Sequence, residues 1–226
     1  MILLISAIPD AAQREAITEK LALLEWRDGA ATDGPVARAV KHNLQAAMNA
    51  VPARTLAEEV QAILAAHPVL RAAAQPRRFS NLIISKTQDG GHYGLHVDNA
   101  VMKSASGEAM RTDLSFTLFL TPPEDYDGGE LVIHSASGAD EVKGAPGELV
   151  LYPSTALHEV RPVTRGQRIV CVGWIESMVA DAAAREVLFD LENLRVALRA
   201  RLPGQAPESL TLDKTIANLL RRWARP

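Results

Sequence analysis

The sequence predicts an α+β fold with a β-rich middle held between two helical ends. Three observations carry this. Before Pro68, apolar residues recur at helical spacing. From Phe79 to Ile175 the chain breaks into short runs of β-formers punctuated by glycine and proline. After Asp181, leucines return at helical spacing. Many short strands at near-regular intervals predict an antiparallel barrel or jelly roll in the middle. The boundaries drawn are 1–177 for the first helices plus barrel and 178–226 for a C-terminal helical extension.

Met1-Ile2-Leu3-Leu4-Ile5 reads as a first strand, because no positive leader precedes it and charges follow soon after. Asp10 caps a helix with Gln13 three residues on, and Ile17, Leu21 and Leu24 give its apolar face. Trp26 to Pro35, with Gly29 and Gly34, reads as a loop. Thr55 and Glu58 form a capping-box pattern for a second helix faced by Leu56, Val60, Ile63 and Leu64, ending at His67-Pro68. The predicted strands are Phe79–Ser85, Gly94–Val97, Leu114–Leu120, Glu130–His134, Glu148–Leu151, His158–Val163 and Arg168–Ile175. Turn signals lie between them, among them Asp89-Gly90-Gly91, Asp127-Gly128-Gly129 and Arg165-Gly166, with glycine supplying positive φ. Ala182–Arg201 and Thr211–Trp223 read as helices separated by Pro203-Gly204. The leucine stripe of the first is expected to pack on the barrel, with self-association of these helices left open. No repeat or low-complexity segment interrupts the chain.

The 226 residues suffice for one core with accessory helices or for two small domains. Apolar content is 47%, charged content 23% and net charge -3, which argues against a nucleic-acid partner. A single cysteine, Cys171, sits in an apolar run and is expected to be a small buried hydrophobe. No apolar stretch reaches bilayer length, so no membrane partner is expected and the cytoplasm is the expected compartment.

The chemistry is concentrated in Tyr93-Gly94-Leu95-His96-Val97-Asp98. Side chains two apart on a strand share a face, so His96 and Asp98 point the same way and supply two of the three ligands of a facial metal triad. Among the six histidines, His158 is the better third ligand, because Arg168 follows ten residues later across the Thr164-Arg165-Gly166 turn. A guanidinium binds a carboxylate through two parallel hydrogen bonds, as the far end of 2-oxoglutarate requires. Three protein ligands and two from the cosubstrate then leave one iron position for O2.

Seven segments resemble the bacterial PKHD-type hydroxylases, relatives of prolyl 4-hydroxylases among the iron(II)/2-oxoglutarate dioxygenases. They are Lys41-His42-Asn43-Leu44-Gln45, Gly94 through Ala100, Met110 through Ser115, Phe116 through Leu120, Tyr126 through Val132, Gly147 through Ser154, and His158 through Arg168. The likeness spans nearly the whole chain. It implies a double-stranded β-helix core, Fe2+ on His96, Asp98 and His158, and 2-oxoglutarate on Arg168. It further implies ascorbate as assay reductant, an unidentified prime substrate, and an association with iron acquisition. One position departs: where the family commonly has a tyrosine nine residues before the first iron histidine, this chain has Thr87.

The remaining residues keep two readings. Tyr93 and Tyr152 either hydrogen-bond in the pocket, as cosubstrate contacts, or pack in the core or at the rim. Trp174 is expected in the core, and Asn99 and Arg111 either meet the prime substrate or, as the favoured reading, are surface polar residues. Two rival functions share the barrel: a zinc hydrolase or isomerase, which the spacing of Arg168 disfavours, and a metal-binding or sensing module without turnover.

Overall fold

The structure, a computed structural model, describes residues 1–29, 41–104 and 106–226. Two antiparallel sheets carry the site. The larger orders as β1 (Leu3–Ser6), β14 (Glu148–Pro153), β10 (Leu114–Phe119), β17 (Gln167–Ser177), β6 (Ile83–Gln88), β4 (Leu44–Ala46) and β2 (Trp26–Asp28), with β5 (Pro76–Phe79) on the end of β17. The smaller orders as β13 (Gly138–Val142), β12 (Leu131–Ser135), β15 (His158–Val160), β7 (His92–His96) and β3 (Lys41–His42). Two-stranded pairs join β8 (Val101–Lys103) to β9 (Ala109–Arg111) and β11 (Asp127–Gly128) to β16 (Val163–Arg165).

The centre of the larger sheet is buried on both faces, with every residue of β10 buried. Along β10, Leu114, Phe116 and Leu118 turn toward one core, where they meet Leu149, Leu151, Cys171 and Ile84. That core continues into α1 (Ala11–Leu21), α2 (Val51–Ala66) and α3 (Pro68–Ala74) through Ile17, Leu56, Val60, Leu64 and Leu70. Phe119, Val150, Tyr152 and Val170 turn the other way and pack with Leu131 and Ile133 of the smaller sheet. Full burial of each such side chain contributes roughly 1.5–3 kcal/mol. Cys171 is fully buried in the first core, as expected of it, and burial pushes its thiol up to about 12.

Several elements differ from the sequence reading. The second helix starts at Val51, not Thr55; Pro52 sits in its first turn, where its missing N–H costs nothing and its fixed φ suits a helix. Ala50 caps it with no side-chain bond, so the Thr55/Glu58 capping box does not exist. His67-Pro68 does end α2, but Pro68 also opens α3, with His67 Nδ1 accepting from the Leu70 N–H. Leu24 is buried but lies beyond α1. The expected loop after Trp26 begins with β2, while Gly34 and Pro35 lie outside the described residues. The run Phe79–Ser85 splits into β5 and β6 around Ser80, whose Oγ accepts from the Trp174 N–H. His158–Val163 likewise splits into β15 and β16.

The last two helices, α4 (Ala182–Arg199) and α5 (Pro207–Trp223), share their own apolar cluster of Val179, Leu188, Leu212 and Ile216. Asp181 caps α4 by accepting from the Ala184 N–H. Arg185, also buried there, donates to the carbonyls of Val179 and Ala180. Among the described residues, no helix is long and apolar enough to cross a membrane.

Candidate active site

Register builds the site. β15 pairs with β7 so that His158 stands directly opposite His96. β7 ends at His96, and Asp98 follows two residues on, past the end of the strand. The side-chain ligand atoms of His96, Asp98 and His158 all lie within 4.8 Å of one another, a group that could hold a metal ion. His158 Nε2 is 3.8 Å from Asp98 Oδ2.

Each of these residues is held from behind. His96 Nδ1 lies 2.8 Å from the Gly94 carbonyl and His158 Nδ1 lies 3.0 Å from the Ala156 carbonyl. A ring that donates from Nδ1 to a carbonyl keeps its Nε2 lone pair for a metal. Burial holds His96 well below the usual histidine range, at about 4, with the neighbouring His158 adding to the effect. The ring is thereby neutral, as a ligand must be. Ser115 Oγ donates to Asp98 Oδ2 at 2.5 Å and lies 2.8 Å from Ser154 Oγ. Tyr93 stacks on His96 with ring centroids 3.6 Å apart, and Tyr152 meets His158 edge-on at 5.1 Å. Both tyrosines therefore pack on the clustered histidines and line the cavity beside them. Burial pushes the Tyr152 phenol above its ordinary range, so it stays protonated.

The cluster opens into a cavity of about 660 Å³ between the two sheets. Along β17 the residues facing it alternate as Arg168, Val170, Val172 and Trp174. Arg168 marks the inner end. It is 3% exposed, yet its Nε and Nη2 have no hydrogen-bond partner among the described residues. Its guanidinium lies 5.6 Å from the Phe119 ring centroid. Burial lowers its pKa, while the phenols of Tyr126 and Tyr152 pull the other way. A buried cation with donors to spare is costly, and the natural relief is a bound carboxylate. Gly129 makes room for it: at φ +70°, a Cβ there would come within 2.9 Å of Arg168 Cδ. Thr87 of β6 stands opposite Arg168 in register and is buried against the same cavity.

The other histidines stay outside. His42 and His92 face each other on an outer groove with ring centroids 4.8 Å apart, and His134 lies near Glu159 on β12. Trp174 departs from its expected core position, because its indole lines the cavity with Nε1 unpartnered among the described residues. Asn99 also lines the cavity, whereas Arg111 pairs with Asp113 beyond it. Ser115 and Ser154 carry no sequence signal of their own. Only the alternation of β10, with Ser115 and Thr117 set between large apolar residues, marks that face as polar.

Comparison with known proteins fits this geometry. Residues 82–176 match the 2OG-Fe(II) oxygenase superfamily and residues 182–225 match the PKHD-type hydroxylase C-terminal domain. A PKHD-type hydroxylase of Hyphomonas neptunium is 47% identical over 215 residues, covering 93% of this chain and 95% of the relative. One from Synechococcus elongatus is 46% identical over 224 residues, covering 99% of this chain and all of its own length, 100%. In fold, the chain is similar to a 2OG-Fe(II) oxygenase family oxidoreductase from Burkholderia pseudomallei, at TM-score 0.55 and 19% identity over 77% of this chain and 84% of that one. A Pseudomonas putida prolyl-4-hydroxylase gives TM-score 0.53 and 19% identity over 78% of this chain and 92% of that one. With its central segment matching the oxygenases and its last helices matching the companion domain, this chain belongs to the PKHD-type hydroxylases of the 2OG-Fe(II) oxygenase superfamily.

Proposed function

We propose that the protein is an iron(II)- and 2-oxoglutarate-dependent dioxygenase. It hydroxylates a prime substrate and couples O2 reduction to oxidative decarboxylation of 2-oxoglutarate to succinate and CO2. The observation that carries this reading is one cavity holding both a His-Asp-His cluster and a buried arginine whose Nε and Nη2 have no partner among the described residues. In this reading the two sheets form a double-stranded β-helix, residues 1–177 make up the oxygenase domain and 178–226 the helical extension.

His96, Asp98 and His158 would hold the iron, and Arg168 the far carboxylate of 2-oxoglutarate. Once bound, iron(II) chelated by 2-oxoglutarate supplies the oxygen-activating chemistry. The chain's own residues set the geometry. The Gly94 and Ala156 carbonyls orient the two imidazoles, and Ser115 fixes the Asp98 carboxylate. Arg168 orients the cosubstrate from its far end, and Val170 and Val172 keep the space between apolar. Ascorbate is the proposed reductant for keeping the iron ferrous in assays.

Iron(II) chelated by a keto acid absorbs visible light, whereas zinc with its filled d shell does not. Anaerobic protein with iron(II) and 2-oxoglutarate should therefore develop a visible band that needs both additions and is absent in His96→Ala, Asp98→Ala and His158→Ala. Admitting O2 should bleach it with formation of succinate. A colourless complex from folded wild-type protein at saturating iron and 2-oxoglutarate would refute the proposal in favour of a zinc enzyme or a sensing barrel.

A further inference from the structure

The alternating run Lys41-x-Asn43-x-Gln45 has no part in holding iron or 2-oxoglutarate as proposed above. It lies on a stretch of chain that leaves the smaller sheet as β3 and enters the larger as β4, closing one edge of the cavity. Side chains two apart on extended chain share a face, and all three of these line the cavity. His42 and Leu44, between them, line the outer groove instead, and Asn43 borders both. Lys41 and Gln45 are buried, at 7% and 6% exposed. Asn43 Nδ2 donates to Ser85 Oγ at 2.6 Å, which locks its amide against β6.

Position separates this wall from the Arg168 end. Arg168 pairs with Thr87, and Gln45 pairs with Ser85, two residues away on the same face of β6. Lys41 pairs with Tyr93, and its Nζ lies 5.2 Å from the centroid of that ring, which in turn stacks on His96. The lysine thus stands beside the clustered histidines. In β17 of the larger sheet, Trp174 offers an indole N–H that has no partner among the described residues. At the mouth, Leu95, Val97 and Leu157 are about half exposed and apolar. A few placed polar groups in an otherwise apolar cavity fix the orientation and class of a ligand.

Resting on the function proposed above, we infer that the Lys41–Asn43–Gln45 wall recognises the prime substrate, and that Lys41 selects one bearing a carboxylate close to the reacting carbon. An amino acid acylated on nitrogen has the required chemistry: an anion for Lys41, amide oxygens for Trp174 and the carboxamides, and a side chain for the apolar mouth.

The test titrates anaerobic protein, loaded with iron(II) and saturating 2-oxoglutarate, with N-acetyl-L-amino acids and with their carboxamides. Binding is read by calorimetry while the visible band is followed. The band before any probe is added tests the dioxygenase reading; if it never forms, that reading fails whatever the probes do. With the band in place, the best acid should bind roughly tenfold or more tightly than its amide, the worth of one charge-assisted hydrogen bond. Lys41→Met should abolish the preference and Lys41→Arg should retain it. The wild-type comparison holds even if a variant fails to fold. Equal binding of acid and amide, no binding of any acid, or an undiminished preference in folded Lys41→Met would overturn the inference. So would loss of the band as acid is added, since that places the acid at Arg168 in place of 2-oxoglutarate.

Discussion

Replacing Arg168 separates binding of 2-oxoglutarate from stability. The guanidinium is 3% exposed, with Nε and Nη2 unsatisfied among the described residues, so the protein without ligand bears the cost of a buried, incompletely paired cation. A two-pronged contact with a carboxylate makes two charge-assisted hydrogen bonds, each worth roughly 1.5–3 kcal/mol. Arg168→Met loses both and should weaken 2-oxoglutarate binding by roughly a hundredfold or more. Arg168→Lys keeps a point charge but not the fork, so its loss should be smaller, roughly tenfold or more. Ligand-free stability should move the other way, with Arg168→Met as stable as wild type or more so, because a charge leaves the interior while the methionine fills most of the volume. Iron content should hold in both variants. The assays are titration of the anaerobic visible band with 2-oxoglutarate, and thermal unfolding with and without it. Wild type should gain melting temperature on adding 2-oxoglutarate, and Arg168→Met should gain little. Unchanged affinity in folded Arg168→Met would refute the reasoning and place the anchor elsewhere.

Substitutions at three further positions probe the surroundings. Gly129→Ala puts a methyl within 2.9 Å of Arg168 Cδ at φ +70°, so it should cost roughly 1–2 kcal/mol of stability from backbone strain and weaken 2-oxoglutarate binding without loss of iron; denaturant unfolding beside the same titration checks both. Ser115→Ala removes the hydrogen bond to Asp98 and should lower iron affinity roughly 10–100-fold, read by competition with a metal chelator, while Ser115→Thr should restore part of it. Thr87→Tyr places a longer hydroxyl beside Arg168 in the same cavity, and one added hydrogen bond should tighten 2-oxoglutarate by roughly 2–10-fold; a weaker titration would mean that position 87 does not reach the cosubstrate.

What the sequence determines by itself is local. Period-two alternation predicts His96 and Asp98 on one side, where they do meet although Asp98 lies past the end of β7, and turn glycines such as Gly128 and Gly166, at φ +74° and +72°, end the strands where the turns demand it. Helical periodicity likewise marks α4 and α5, because each buries a single stripe. The tertiary structure decides what depends on distant partners. β10 is buried on both faces, so its sequence, Leu-Ser-Phe-Thr-Leu-Phe, does not say that Ser115 reaches Asp98; the register sets Ser115 beside Tyr152 and Trp174, and Asp98 comes to it from the end of β7 in the other sheet. Trp174 looks like core from its apolar neighbours, yet the pleat of β17 turns it into the cavity with Arg168. Thr55 carries a capping-box pattern that loses to Pro52, since a proline already shaped for the first turn starts the helix four residues earlier. The pairing of His158 with His96 likewise belongs to the sheet. Hydrogen bonds between strands far apart in the chain fix which side chains meet, whereas the amino-acid order fixes only the face each can show to its neighbours.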